Sequence, residues 1–272
     1  MNHKNINKEL ETLFQEWQER LGTNFTRDGI MYQNGKTEEQ VEQEWIKSPK
    51  RVVFLLKDQH QYKKENEENW DEDIRYWLKE EDGEEDKHRR KKESNRNIEG
   101  KFLKNIAYIL WGLVQDDNKD RNNGVAVKKH EEVKNVFNTQ PFALVECKKE
   151  PGEAKLADKI LCQHLNDYKE FLQREITILN PNIIVCCNNN IFEFMTNIYQ
   201  DKEAIDFGGQ YVLEDGTDMH FKTQLRYYPN DKIIVINSFH PSRRIANWKI
   251  VEKVLSPFRK FMDSEYASDF FK

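Results

Sequence analysis

Cysteine is scarce in this chain: four occur in 272 residues, without regular spacing. A disulfide framework is excluded on that count, and a reducing compartment is indicated. Histidine does not supply a metal site in its place, because His60, His164 and His220 lack ligand spacing and none joins a cysteine pair in zinc-site fashion. No metal or cofactor is expected. No apolar run approaches the roughly 20 residues of a membrane span, and no basic stretch followed by an apolar one opens the chain. Neither a membrane span nor a secretory signal is expected. The formal net charge is only −5, which gives no global attraction to nucleic acid. No internal repeat stands out. With 37% hydrophobic residues, the expectation is one cytoplasmic, monomeric domain over 1–272.

What is present is a set of short apolar runs that stop in polar residues. Arg51-Val52-Val53-Phe54-Leu55-Leu56 gives way to Lys57-Asp58-Gln59-His60, and Pro141-Phe142-Ala143-Leu144-Val145 runs into Glu146-Cys147-Lys148-Lys149. Pro181-Asn182-Ile183-Ile184-Val185-Cys186-Cys187 runs into Asn188-Asn189-Asn190, and Ile233-Ile234-Val235-Ile236-Asn237 leads to His240-Pro241-Ser242. Such runs read as buried parallel strands, and ligands in open α/β sheets bind just beyond their carboxyl ends. Between them lie helical spacings, notably Leu156, Ile160, Leu161, Leu165, Tyr168, Leu172 and Ile176. The alternation implies a three-layer α/β/α fold around a mostly parallel sheet of four to five strands.

Helices are also expected at both ends. Leu10, Phe14, Trp17 and Leu21 form a stripe ended by Gly22, and Thr37-Glu38-Glu39-Gln40 has the form of a capping box. Residues 1–48 therefore read as a helical extension. Trp248, Val251, Val254, Leu255, Phe258 and Met262 make one face of a closing helix. The segment of about 63–97 reads as a charged insertion: residues 63–86 carry twelve acids against four bases, and residues 87–104 carry eight bases against two acids. Trp70, Ile74, Trp77 and Leu78 suggest a short helix within it.

Taken in order, these elements resemble the uracil-DNA glycosylase superfamily, in a divergent branch nearest in pattern to the bacterial family 4/5-like group. Val52-Val53-Phe54-Leu55 followed by Asp58 resembles the first family motif, whose aspartate handles the attacking water. The last strand with His240-Pro241-Ser242 resembles the final motif, and the helix containing Cys162, with Asn180-Pro181-Asn182-Ile183-Ile184-Val185, is similar to the central one. Two departures stand out. Asp58 lacks the glycine and proline found around it in the best-known members, and Glu146-Cys147 occupies the strand end where many relatives place a uracil-reading asparagine. Some relatives hold a 4Fe-4S cluster. Cys147 and Cys162 are similar to one pair of its ligands, but the Cys-x-x-Cys pair is missing and adjacent Cys186 and Cys187 face opposite ways on a strand.

The resemblance implies a DNA N-glycosylase that flips out and excises uracil or another altered base. Hydrolysis of an N-glycosidic bond builds positive charge on the sugar and negative charge on the base. Asp58 would serve the first and His240 the second, since a preorganised donor to a developing anion contributes about 3 to 4 kcal/mol. Phe102, two residues after Gly100, would stack on the base, and Glu146 and Asn188 would line its pocket. A charged Glu146 would repel a uracil anion unless protonated. Ser242, Arg243, Arg244, Lys91 and Lys92 would grip phosphates of single- or double-stranded DNA.

Each residue also admits a plainer role. Asp58 suits a turn or cap, Phe102 continues the stripe of Ile106, Ile109, Leu110 and Leu113, and Arg243, Arg244 and the basic run suit solvated surface. Two other functions stay open: a non-catalytic nucleic-acid-binding protein of this fold, and a hydrolase of free nucleosides or nucleotides.

Overall fold

A computed structural model describes residues 5–22, 24–60, 71–78, 98–115, 130–152, 156–212, 216 and 218–271. Lys91, Lys92, Trp70 and most of the charged insertion lie outside these residues. In chain order the elements are α1 (Ile6–Leu21), β1 (Phe25–Arg27), β2 (Gly29–Ile30), α2 (Glu38–Lys47), β3 (Val52–His60), β4 (Asp71–Asp73), α3 (Lys101–Val114), α4 (His130–Thr139) and β5 (Phe142–Gly152). Then follow α5 (Asp158–Asp167), α6 (Lys169–Leu179), β6 (Ile183–Cys186), α7 (Asn189–Ile198), β7 (Ile205–Asp206), β8 (Gly209–Val212), β9 (Asp218–Thr223), β10 (Leu225–Tyr228), β11 (Ile233–Asn237), α8 (Asn247–Met262) and α9 (Ala267–Phe270).

The fold is mixed α/β, with a central, mostly parallel sheet and flanking helices. It divides into two compact units, the first drawn from 1–85 and 141–181 and the second from 86–140 and 182–272. In the first unit β3 runs parallel to β5, and β2 adds antiparallel to β5. In the second β6 runs parallel to β11, while β10 and then β7 add antiparallel. Strands β3, β5, β6 and β11 are the four apolar runs of the sequence; β1 and β4 form a separate parallel pair. Antiparallel β2, β10 and β7 carry no comparable run: β2 and β7 are two residues long and β10 is four, too short to leave a period-2 pattern.

Strand ends differ from the sequence expectation. The β3–β5 ladder continues past the apolar core, pairing Leu56 with Glu146 and Asp58 with Lys148, with an irregularity between Asp58 and His60. Asp58, Glu146 and Cys147 thus lie inside strands rather than beyond them. Polarity marks where the chain leaves the core, not where the backbone groups stop needing partners, and here each strand satisfies the other.

Local signals hold in the first unit. Asn5 caps α1, burying Leu10, Phe14 and Trp17, and Gly22 closes it at φ 107°. The Thr37 capping box is formed in both directions. Trp17 stacks on Phe171 of α6 at 5.3 Å, and Trp45 Nε1 donates to Leu179 O. The stripe from Leu156 to Ile176 is two helices, broken at Tyr168, so Ile160 is 47% exposed instead of sharing the buried face. Asn180 ends α6 in the left-handed conformation at φ 47°, directly before Pro181. The tryptophan-rich segment forms β4 and one 3-10 turn, Ile74–Tyr76, in place of the expected helix.

Candidate functional site

In the first unit the chemistry gathers on β3 and β5. Asp58 Oδ2 is buried and has no hydrogen-bond partner among the described residues. It lies over Gly152, where a Cβ would come 2.2 Å from Oδ2 and 3.8 Å from Lys148 Nζ. Burial raises the Asp58 carboxyl to about 6, against the pull of Lys148 and Lys57. Lys148 is itself pushed down by burial. A carboxylate with this value is ionised above neutrality and still basic enough to take a proton.

Glu146 is only 3% exposed, and its Oε2 has no partner among the described residues. Burial first, then Asp28 and Asp58, holds its carboxyl well above the usual range. Burial thus favours its neutral form. A protonated carboxyl presents one O–H donor and one carbonyl acceptor, the complement an amide would offer. The shift lessens the repulsion of an anionic base that a charged glutamate would raise.

Behind Glu146 lies a buried ionic group that the sequence did not disclose. Lys149 Nζ donates to both Asp28 oxygens at 2.6 Å and lies 2.9 Å from Glu175 Oε2, and all three side chains are sealed from solvent. Asp28 Oδ2 also accepts from Glu146 N at 2.6 Å. Burial alone would lower the Lys149 ammonium, but Asp28 and Glu175 outweigh it and raise the pKa. Burial, then Asp28, pushes the Glu175 carboxyl well above the usual range, against the pull of Lys149. This group fixes the backbone of β5 from Glu146 to Lys149.

In the second unit the His240-Pro241-Ser242 turn follows β11 and is held by the first turns of α3. Asn105 Nδ2 donates to Pro241 O at 2.6 Å, and Lys101 Nζ donates to Ile245 O at 2.6 Å. Phe102, between those anchors, is half-buried and faces His240 at 6.0 Å between centroids with a 38° tilt. Both the packing role and a ring face toward His240 are therefore available to Phe102. Asn105 Oδ1 is buried without a partner among the described residues. Sequence reading passed over Asn105, although a lone amide within the apolar stripe of α3 was its signal.

Ser242 acts on His240 directly. Its backbone N–H donates to His240 Nδ1 at 3.3 Å and its Oγ lies 2.8 Å from the same nitrogen. An Nδ1 that accepts cannot carry the proton, so the neutral ring is protonated at Nε2 and donates from there. Arg243 N donates to His240 O, and the Arg243 guanidinium lies 4.5 Å from the centre of the Phe239 ring. Arg244 is exposed. Asn188 caps α7 through its side-chain oxygen, while Asn189 Oδ1 accepts from Asn237 Nδ2 at the end of β11.

A family model described as the Uracil DNA glycosylase superfamily matches residues 94–264. The chain belongs to that superfamily. Phe102, Glu146, Asn188, His240, Ser242, Arg243 and Arg244 fall within the match, and Asp58 precedes it. No curated protein matches the chain. All four cysteines are free, and among the described residues no cluster of three or more His, Cys, Asp or Glu could hold a metal ion. Among the same residues no helix is long and apolar enough to cross a membrane.

Proposed function

We propose that the protein is a DNA N-glycosylase, which hydrolyses the bond between deoxyribose and uracil or another altered base. The observation that carries this is the Ser242–His240–Phe102 arrangement inside the superfamily match: a histidine held in the Nε2–H form beside a half-buried aromatic ring. In this reading the flipped base stacks on Phe102. His240 Nε2–H donates to a base carbonyl as negative charge collects there, and the glycosidic electron pair leaves with the base. Asp58, ionised above pH 6, orients a water for attack on the sugar carbon and takes its proton. Glu146, its carboxyl shifted toward the neutral form, is assigned to the base edge, and Asn188 to support of the base. Arg243 and Arg244 bind flanking phosphates.

The test is single-turnover excision on single- and double-stranded oligonucleotides carrying uracil or other altered bases. Release of a base by the wild type, lost in Asp58→Asn and His240→Ala, supports the reading; no release from any substrate sinks it. The start of the family match beyond Asp58 favours one competitor, a non-catalytic DNA-binding protein of this fold. That competitor binds these oligonucleotides without cleaving them.

A further inference from the structure

The second unit carries a row of aromatic rings and cations of which the proposed chemistry uses only Arg243 and Arg244. Trp248, in the first turn of α8, is 39% exposed. Its ring lies 6.3 Å from Tyr211 of β8, which stacks on Phe221 of β9 at 4.9 Å and 13°. Phe221 meets Phe239 edge-on at 5.9 Å, and Phe239 immediately precedes His240. Cations flank both ends. Lys249 Nζ lies 5.5 Å from the Trp248 ring centre, and Arg243 and Lys253 lie 4.5 and 5.2 Å from that of Phe239. Among the described residues neither Arg243, Arg244 nor Lys249 is ion-paired with a carboxylate. Lys253 is neutralised by nothing acidic either: it donates to Lys222 O, and burial, then Arg243, pushes its ammonium down to about 8.

Packing of the β8–β9 hairpin on α8 explains Tyr211, which is buried, and Phe221, which is half-buried. It does not explain an indole left open at one end of the row, or cations that form no ion pair among the described residues; Glu252, which accepts from the Tyr211 hydroxyl, is paired with Arg259. An exposed indole among unpaired cations suits one ligand class, a strand with bases to stack and phosphates to neutralise. We propose that this row is a docking track for single-stranded DNA, with an unpaired base on Trp248, the adjoining phosphates on Lys249 and Arg244, and the strand leading to the His240 turn. The proposal deepens the glycosylase reading by naming the form of substrate, and it rests on that reading only for the ligand being DNA.

The experiment is fluorescence anisotropy with a labelled oligothymidylate of about twelve nucleotides, compared with a duplex of the same length at two salt concentrations. Trp248→Ala is expected to weaken binding of the single strand about tenfold, Trp248→Phe to restore most of it, and Lys249→Gln with Arg244→Gln to flatten the salt dependence. Circular dichroism melting checks that each variant folds; if Trp248→Ala does not, the Trp248→Phe and Lys249→Gln variants decide. A folded Trp248→Ala that binds like the wild type, or a wild type that prefers the duplex, overturns the track. Oligothymidylate contains no altered base, so His240→Ala should bind it normally. Trp248-dependent binding by a wild type that excises nothing supports the track and sinks the glycosylase reading. Excision that is normal in Trp248→Ala, with unchanged binding, sinks only the track.

Discussion

Gly152 leaves room for the Asp58 carboxylate: a side chain there would begin 2.2 Å from Asp58 Oδ2. The two residues lie on neighbouring parallel strands, and the absence of one Cβ sets where the other's charge can rest. Gly152→Ala is expected to turn Asp58 aside and reduce single-turnover excision roughly 100-fold, as a displacement of about 1 Å does in a preorganised site. Thermal melting should move little, because only the end of a short side chain must shift. Unchanged excision with a displaced or undisplaced Asp58 would remove Gly152 from the site.

Asp58 also makes a pH prediction. Its folded-state value, about 6, is raised above the ordinary 3.8 by burial. The folded state therefore binds the proton more tightly than the unfolded state, and stability present below pH 3.8 is lost as pH rises through about 6. Asp58→Asn should be the more stable protein at pH 8 by about 1 to 2 kcal/mol, after allowance for solvent screening of a partly exposed group. That gap should close near pH 4 in urea titrations. Excision by the wild type should rise with pH through about 6, and the variant should lack this limb.

His240 and its holders should separate kinetically. His240→Ala removes a donor used only as charge develops, so excision should fall roughly 100-fold or more with little change in DNA affinity. Ser242→Ala removes the hydroxyl on Nδ1 but keeps the backbone donor, and a smaller loss of about tenfold is expected. Arg243→Ala with Arg244→Ala should instead weaken binding and reduce its salt dependence. Equal losses of affinity in all three would place His240 among the DNA-binding residues.

The buried ionic group gives the largest stability effect. Lys149→Met strands Asp28 in the interior, at a cost of about 3 to 5 kcal/mol by denaturant unfolding. Glu146→Gln, by contrast, replaces a carboxyl that burial pushes toward its neutral form by the amide counterpart, and should keep the melting temperature and the base preference. Strong destabilisation of Glu146→Gln would show that the carboxyl is ionised in the fold.

Much of the architecture was determined by the sequence alone. The four apolar runs became β3, β5, β6 and β11, the Thr37 box and the stripe of α1 formed as written, and Gly100 with Phe102 opened α3. These signals are local: they depend on spacing over a few residues and on which side chains avoid water. Even the family resemblance rests on such short stretches kept in order.

Tertiary structure decided the chemistry of those stretches. Lys149 meets Asp28 across 121 positions, and Asn105 meets Pro241 across 136. No periodicity links residues so far apart. The Glu146 carboxyl is pushed up only because the fold removes it from water beside Asp28 and Asp58, and its letter in the sequence is the same as that of an exposed, charged glutamate. The lengths of β3 and β5 were hidden for a related reason. Hydropathy reports burial of side chains, whereas a strand persists as long as a neighbour takes up its backbone hydrogen bonds.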